Sequence, residues 1–334
     1  MIAITGGGTG GHLAIVRSVK NALVQSGVKP IYIGSTAGLD RAWFENDDGF
    51  LERFFLPSGS VMNRGFFGKI VAVFNILRLV FRACKILRSR RVTALLSVGG
   101  YSAAPAAFAA IALRIPLIIH EQNAVRGSLN RLLAPFAKSF YSAFEPTFLD
   151  YPVAQEYFDR ARIRRRLKTV IFLGGSQGAR AINDYALLVA PILAKNRVRI
   201  IHQTGERDYE RVSNFYRDHE IEANCFAFTD RLIDFVSRAD LAVARSGAST
   251  LFELTANGLP ALFVPYPHAA RQHQLHNAHF LSQRDLAWCV NERHLTVEIL
   301  EALLHSSLEE MSVELPKAIA PDGAKTLATA LLSA

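Results

Sequence analysis

The chain has 334 residues, half of them hydrophobic and a fifth charged, with a formal net charge of +9 at pH 7. This composition excludes a disordered or low-complexity chain, and the length suits two domains. Three widely spaced cysteines without a C-x-x-C pair exclude a disulfide framework and fit buried thiols in a reducing cytosol. The charge predicts an anionic partner, which could be a phosphorylated substrate, nucleic acid or an acidic lipid surface.

The N-terminus combines a short strand, a glycine loop and a helix. Residues 2–5 are apolar and mostly β-branched, five glycines occupy positions 6–11, and His12 follows directly. An apolar-periodic stretch over residues 13–24 then predicts a helix. The strand enters the glycine loop without a basic stretch or a cleavage site, so we expect no signal peptide.

The same succession of strand, glycine loop and helix recurs about half a chain length later. Residues 169–173 predict a strand, a loop reads Gly174-Gly175-Ser176-Gln177-Gly178-Ala179, and a helix continues to Ile192. Further buried strands are predicted at residues 30–34, 94–98, 117–120, 199–203, 241–244 and 261–264. Strands that alternate with helices indicate parallel sheets covered on both faces.

We therefore predict an α/β fold with two Rossmann-like domains whose parallel sheets face each other across a cleft. The expected domains are residues 1–155 and 156–334, with residues 151–168 as the linker and the last helix returning to the first domain. Ligands of such sheets bind beyond the carboxyl ends of the strands, so the cleft is the expected site.

A glycine loop before a helix lets backbone N–H groups approach a phosphate, and the helix dipole favours its charge. A tight turn without a ligand is the alternative. The spacing Gly6-x-Gly8-x-x-Gly11 also fits a dinucleotide fingerprint, but neither half has the required carboxylate at the end of its second strand. A P-loop is absent.

Glu253, on the helix after residues 241–244, could accept both hydroxyls of a nucleotide ribose or simply stabilise the first turn of that helix.

Taken together, the motifs resemble the MurG family of glycosyltransferases, over nearly the whole chain. In order they read Gly7-Gly8-Thr9-Gly10-Gly11-His12, Ser97-Val98-Gly99-Gly100-Tyr101, His120-Glu121-Gln122-Asn123, Gly174-Gly175-Ser176-Gln177-Gly178-Ala179, Arg245-Ser246-Gly247-Ala248 and His273-Gln274 with Asn277-Ala278. The resemblance implies the GT-B fold. It also implies transfer of N-acetylglucosamine from UDP-N-acetylglucosamine to lipid I (undecaprenyl-pyrophosphoryl-muramyl peptide), which makes lipid II for peptidoglycan.

By this resemblance the second domain holds the donor. Phe228 would cap the uracil, the backbone of Thr229 would bond it, and Glu253 would take the ribose. The groups implied around the diphosphate and the sugar are Ser176, Gln177, Ala248, Ser249, Thr250, His273 and Gln274, with Asn123 reaching the sugar from the first domain.

The first domain would hold the acceptor, with its diphosphate on the first glycine loop. The residues implied there are Thr9, Gly10, Gly11 and Tyr101. His12 is either the base that accepts the proton of the attacking hydroxyl or a hydrogen-bond partner of acceptor or diphosphate. Glu121 is the second candidate base, or a structural carboxylate that anchors its loop. We expect inversion at the anomeric carbon, no cofactor and no metal, since no Asp-x-Asp suited to a nucleotide-bound ion stands out.

One position departs from the family pattern. Ala154 stands where the family usually carries an arginine that contacts the phosphate of the nucleotide. Arg160, Arg162 or Arg164 could supply that charge instead.

Residues 65–82 form an apolar segment interrupted by basic residues too often for a spanning helix. We expect an interfacial element on an anionic membrane surface, and hence a peripheral protein on the cytoplasmic side of the inner membrane. The alternative is a core helix with a solvated basic edge.

Two other functions compete with this one. Another UDP-sugar enzyme of the same fold, such as a glycolipid glycosyltransferase or a UDP-N-acetylglucosamine epimerase, is the nearest. A nucleic-acid binder would explain the charge but would leave both glycine loops without a role, so we expect no nucleic-acid partner.

Overall fold

The protein is described by a computed structural model that covers residues 1–59, 66–144, 151–175 and 177–334, with the backbone alone for residues 66–74. The chain forms two compact units. The first comprises Met1–Val153 and Asp322–Ala334, and the second comprises Ala154–Pro321.

The first unit is built on a six-stranded parallel sheet with the order β3-β2-β1-β4-β5-β6. Its strands are β1 (Ile2–Thr5), β2 (Ile31–Ser35), β3 (Glu52–Leu56), β4 (Ala94–Ser97), β5 (Leu117–Glu121) and β6 (Ser139–Ser142). Thr5 lies opposite Ile33 on one side and Ser97 on the other, so the carboxyl ends of β1, β2 and β4 are level. The strand order reverses direction between β1 and β4, which is where ligands of Rossmann-type sheets bind.

The helices of the first unit are α1 (Gly10–Gln25), α2 (Asp40–Phe44), α3 (Phe66–Ser89), α4 (Ala104–Ala112), α5 (Ser128–Leu133) and the C-terminal α14 (Gly323–Leu332). Leu79, Ala83 and Leu87 of α3 are fully buried at i, i+4 spacing in the core that α3 shares with α4. The alanines of α4 let the two helices approach closely. α14 packs against α1 and β4.

The second unit repeats the plan, with the order β12-β11-β10-β7-β8-β9. Its strands are β7 (Thr169–Leu173), β8 (Arg199–Gln203), β9 (Ala223–Phe226), β10 (Leu241–Ala244), β11 (Ala261–Phe263) and β12 (Trp288–Cys289). Its helices are α6 (Gln155–Asp159), α7 (Arg180–Lys195), α8 (Tyr209–Asp218), α9 (Ile233–Val236), α10 (Ala248–Ala256), α11 (His273–Ser282), α12 (Val297–His305) and α13 (Glu309–Glu314). The direction of strand order reverses between β7 and β10.

The predicted α/β class and parallel sheets are confirmed, and each predicted strand is found to within one residue at either end. Sequence analysis missed β3, β6, β9 and β12 because these outer strands are partly exposed and lack a continuous apolar run. The first helix begins at Gly10, inside the glycine loop, rather than at residue 13.

The boundary between the two units falls within residues 151–168, and most of this segment belongs to the second unit. The segment includes α6, and Arg164 is fully buried among backbone carbonyls of the second unit. None of the helices in the described part of the chain has the length and apolarity needed to cross a membrane.

Candidate active site

Because all strands of the first unit are parallel, the loops after β1, β2, β4 and β5 emerge at one edge of the sheet. The first glycine loop lies at this edge between two supports. An added Cβ on Gly7 would come within 2.8 Å of both carboxylate oxygens of Asp40, and one on Gly8 would lie 2.7 Å from the ring of Tyr101. Gly8 also has a positive φ of 85°. Glycine is therefore required for the loop to approach these side chains.

Asp40 holds this loop in place. Its carboxylate is fully buried and accepts hydrogen bonds from the backbone N–H of Gly8 (2.6 Å), the backbone N–H of Ser35 (2.9 Å) and the hydroxyl of Tyr32 (2.9 Å). Burial and the neighbouring Asp40 carboxylate raise the pKa of Tyr32 far above its usual value, so the phenol remains a hydrogen-bond donor. The loops after β1 and β2 are thus joined through one carboxylate.

His12 is the third residue of α1 and is half-buried. Its Nδ1 lies 2.9 Å from Oγ1 of Thr9, and its Nε2 lies 3.1 Å from Nε2 of Gln122. Two proton arrangements satisfy these contacts, depending on whether the NH₂ group or the oxygen of the Gln122 amide faces the ring. In both arrangements each ring nitrogen is engaged, so His12 must exchange one of these contacts before it accepts a proton.

Glu121 anchors a loop. Its buried carboxylate accepts hydrogen bonds from the backbone N–H groups of Asn123 (3.0 Å) and Gly127 (2.8 Å) and from Nδ2 of Asn130 (2.9 Å). Of the two roles open to Glu121 in the sequence, these contacts favour the structural one, and we do not retain it as a base.

Tyr101 and His120 also belong to this edge of the sheet, and they are half-buried and fully buried respectively. Tyr101 is half-buried, donates its hydroxyl hydrogen to the carbonyl of Ala37 (3.0 Å) and has its pKa raised by burial and by Asp40. His120 is fully buried, and neither of its ring nitrogens has a hydrogen-bond partner among the described residues. Burial, with His12 nearby, lowers the pKa of His120 to about 3, so this ring is neutral at pH 7.

The second glycine loop packs against the loop after β8. Gly178 has a φ of 75°, and an added Cβ there would lie 2.4 Å from the carbonyl oxygen of Thr204. Gln177 is exposed, whereas Ser176 lies outside the described residues. This loop occupies the carboxyl edge of the second sheet, where it precedes α7.

The start of α10 lies at the same edge, beside the second glycine loop in strand order. Gly247 is the N-cap, Ala248 is buried, and Ser249 and Thr250 are half-buried. Arg245 braces the preceding turn by donating to the carbonyls of Val264 (3.1 Å) and Pro265 (3.2 Å) and pairing with Glu292 (2.8 Å). The N-terminus of α10 is therefore a rigid place for an anion.

Glu253 lies in the second turn of α10, not in its first turn as the sequence suggested. Stabilisation of the helix start therefore does not explain it. Burial raises the pKa of Glu253 to about 8, a hydrogen bond from Tyr157 opposes the rise, and Glu156 adds to it. A carboxyl held in this way is half protonated near pH 8, and a ligand with two hydroxyl donors would favour its ionised form.

The other predicted donor-site residues also follow strands of the second sheet. Phe228 is 46% exposed, and Thr229 uses its hydroxyl to accept from the backbone N–H of Arg231. His273 donates from Nδ1 to the carbonyl of Ala270 (2.9 Å), which leaves Nε2 as an acceptor. Gln274 accepts from the backbone N–H of Tyr266 through its side chain (2.9 Å).

The three arginines considered as replacements at Ala154 are already engaged within the second unit. Arg160 pairs with Asp234, Arg162 pairs with Asp240, and Arg164 is buried against Asn257 and backbone carbonyls. These contacts disfavour all three as phosphate ligands.

Sequence reasoning missed Asp40, Gln122 and Asn130. Asp40 is an isolated acid in the chain, and only the positive φ and close packing of the glycine loop show its role. Gln122 is part of the quoted motif His120-Glu121-Gln122-Asn123, and Asn130, on α5, bonds the Glu121 carboxylate, so the motif was a usable signal for Gln122. Within the described ranges, no three His, Cys, Asp or Glu side chains come together as a metal site.

The fold is shared with solved glycosyltransferase structures. The crystal structure of MurG from Acinetobacter baumannii matches all of this chain and 99% of its own with a TM-score of 0.79 and 27% identity. The glycosyltransferase SnogD from Streptomyces nogalater matches with a TM-score of 0.67 at 15% identity, which speaks for the fold alone. The class defined by fold and site is a GT-B glycosyltransferase.

Sequence comparison places the chain within that class. The N-terminal domain of glycosyltransferase family 28 matches residues 2–142, and its C-terminal domain matches residues 169–330. Relatives from Sulfurovum sp. and Nitratiruptor sp. are 48% and 49% identical, each over 99% of this chain and 98% of their own. Both are called UDP-N-acetylglucosamine--N-acetylmuramyl-(pentapeptide) pyrophosphoryl-undecaprenol N-acetylglucosamine transferase. The chain belongs to glycosyltransferase family 28, and its resemblance to the MurG family is confirmed.

The Asp40 carboxylate yields the first prediction. In Asp40→Asn, one oxygen is replaced by an NH₂ group that faces donors, so the free energy of unfolding should fall by about 2 kcal/mol in urea titrations. Transfer to the acceptor should fall further than stability explains, because the glycine loop loses its brace, while UDP affinity stays unchanged. Asp48→Asn, at an exposed position on the same segment, is the matched control. Equal behaviour of the two variants would contradict the role of Asp40.

Proposed function

We propose that this enzyme transfers N-acetylglucosamine from UDP-N-acetylglucosamine to the muramyl 4-hydroxyl of lipid I, giving lipid II and UDP. The observation that carries the proposal is likeness to relatives of that activity over the whole chain, together with two glycine loops at the carboxyl edges of two Rossmann-type sheets.

The donor binds on the second unit in this proposal. The uracil lies on the exposed ring of Phe228 beside the backbone of Thr229, and the ribose hydroxyls bond to Glu253. The diphosphate lies between the second glycine loop, with Ser176 and Gln177, and the N-terminus of α10. His273 and Gln274 line the sugar.

The diphosphate of the acceptor lies on the first glycine loop, with Thr9, Gly10, Gly11 and Tyr101. The 4-hydroxyl attacks the anomeric carbon from the face opposite UDP, and a new glycosidic bond forms as the bond to the diphosphate breaks. The N–H groups at the start of α10 stabilise the charge that develops on the leaving diphosphate. His12 acts when the acceptor displaces its contact with Gln122 or Thr9, either as base or as hydrogen-bond partner.

The exposed surface of α3 supports membrane association. Opposite the buried stripe, Leu77 is 52% exposed and Phe81 is 73% exposed, at i, i+4 spacing. Arg78, Arg82 and Lys85 are exposed around them. We infer that this surface meets anionic headgroups, as a peripheral contact on the cytoplasmic side of the inner membrane where the donor is found. The earlier part of the segment, residue 65 and the side chains of residues 66–74, lies outside the described residues.

The test of the proposed function is transfer of labelled N-acetylglucosamine to a short-chain lipid I analogue, with EDTA present. We expect the native enzyme to transfer without added metal. We expect His12→Ala to lose at least about a hundredfold in kcat/KM, as is usual for loss of a general base, with UDP affinity unchanged. His219→Ala, at the exposed C-cap that follows α8, is the control. A folded, UDP-binding protein without transfer would instead indicate another UDP-sugar enzyme of this fold.

The raised pKa of Glu253 predicts how donor binding depends on pH. If the ribose binds the ionised carboxyl, protons compete with it, so affinity for UDP should rise from pH 7 to pH 9 by about tenfold and level off above pH 8. Glu253→Gln should bind more weakly with a flat profile, whereas Glu301→Gln, at an exposed position on α12, should follow the native curve. Calorimetric titration measures both. A native profile that persists in Glu253→Gln would contradict the ribose contact.

A further inference from the structure

The second unit has a cavity at the edge of its sheet opposite the glycine loop. It has a volume of about 500 Å³, and its lining includes residues at the amino ends of β7, β8 and β9 and the turn before β10. β7 has five residues, so the cavity lies about 16 Å from the carboxyl edge at a rise of about 3.3 Å per residue. No step of the proposed reaction uses this end of the sheet.

The cavity is lined by four cationic side chains, Arg162, Lys168, Arg199 and Arg238, and by two carboxylates, Glu222 and Asp240. The two carboxylates differ in what they bond. Asp240 is buried and already bonds Arg162 (2.7 Å) and the backbone N–H groups of Lys168 (3.0 Å) and Thr169 (2.9 Å). Asp240 therefore neutralises Arg162 and braces the start of β7.

The other three cations are not neutralised in this way. Lys168, Arg199 and Arg238 have exposed side chains, and none of them forms an ion pair with any residue in the described ranges. Glu222 is the one lining carboxylate left to oppose them. Three like charges around one cavity repel each other, and an anion with more than one negative charge would relieve that repulsion.

Two neutral hydrogen-bonding side chains, those of Thr169 and Asn224, also line the cavity. Thr169 is 3% exposed and lines the same cavity, and its hydroxyl has no hydrogen-bond partner among the described residues. An unpaired buried hydroxyl costs free energy unless a ligand or water bonds it. Asn224, on β9, adds a side-chain amide to the lining. The cavity thus offers charged and neutral donors together, which is the chemistry that binds phosphate oxygens.

We propose that this cavity is a second anion site, distinct from the donor and acceptor sites, and that it binds a phosphate-bearing ligand. Lys168, Arg199 and Arg238 supply the charge, and Thr169 and Asn224 supply neutral hydrogen bonds. The ligand is either a soluble phosphate compound or the headgroup of an acidic phospholipid, since both present the same oxygens.

Acetylation of Lys168 reports occupancy of this site directly. The native protein is treated briefly with an amine-reactive reagent, and modification of each lysine is quantified by mass spectrometry. The ligand is inorganic pyrophosphate in one arm and phosphatidylglycerol vesicles in another, with phosphatidylcholine vesicles as the blank. Lys317, an exposed lysine paired with Glu314, is the internal control.

We expect pyrophosphate, phosphatidylglycerol or both to slow acetylation of Lys168 by about fivefold, as occupancy at about four times the dissociation constant would give, with Lys317 unchanged. Protection by pyrophosphate indicates a soluble ligand, and protection by the anionic vesicles alone indicates a lipid headgroup. Arg199→Gln should abolish the protection, and Arg217→Gln, at an exposed position on α8, should preserve it. Absence of protection in both arms, or protection that persists in Arg199→Gln, would overturn the proposal.

Discussion

Close approach of the glycine loops to neighbouring chain segments at the carboxyl edges of the two sheets is the constraint on which the site depends. At both edges a glycine loop lies where a Cβ would collide with a neighbouring chain segment, Tyr101 and Asp40 in the first unit and the carbonyl of Thr204 in the second. The absence of side chains lets the loops pack, and it also lets a diphosphate approach the backbone at the start of the helix that follows each loop. The N–H group of Gly8 itself is already bonded to Asp40, and that of Gly178 to the carbonyl of Gly175.

The two units meet this constraint with different supports. In the first, a buried carboxylate, Asp40, bonds the loop directly, and a second carboxylate, Glu121, holds the loop that carries Gln122 against His12. In the second, the glycine loop rests on backbone atoms, and burial raises the pKa of the Glu253 carboxyl to about 8, which leaves it partly protonated. Acids that brace loops are saturated with donors, whereas the acid assigned to the ribose is not. This contrast separates structural from ligand-binding carboxylates better than position in the chain does.

The sequence predicted those parts of the fold and site that have a recognisable local residue pattern. Buried strands such as residues 169–173 are continuous apolar runs, and the glycine loops and the helix that carries Glu253 can be recognised by spacing alone. Outer strands such as β3 and β9 could not be found, because their partly exposed faces carry charged or polar residues. Contacts between residues far apart in the chain could likewise not be predicted from the sequence. Asp40 meets Gly8 from a distance of 32 residues, and Gln122 meets His12 from 110. The burial of Arg164, which removed a candidate phosphate ligand, also depends on contacts from distant segments.

The central claim is that each glycine loop serves its own diphosphate. Equilibrium binding of UDP and of a soluble lipid I analogue should be measured for Gly8→Ala and Gly178→Ala, with circular dichroism to verify folding. The account predicts a crossed pattern, in which Gly8→Ala weakens the acceptor analogue by about tenfold or more and leaves UDP unaffected, while Gly178→Ala does the reverse. If one variant weakened both ligands equally while the other weakened neither, the assignment of two loops to two diphosphates would be wrong.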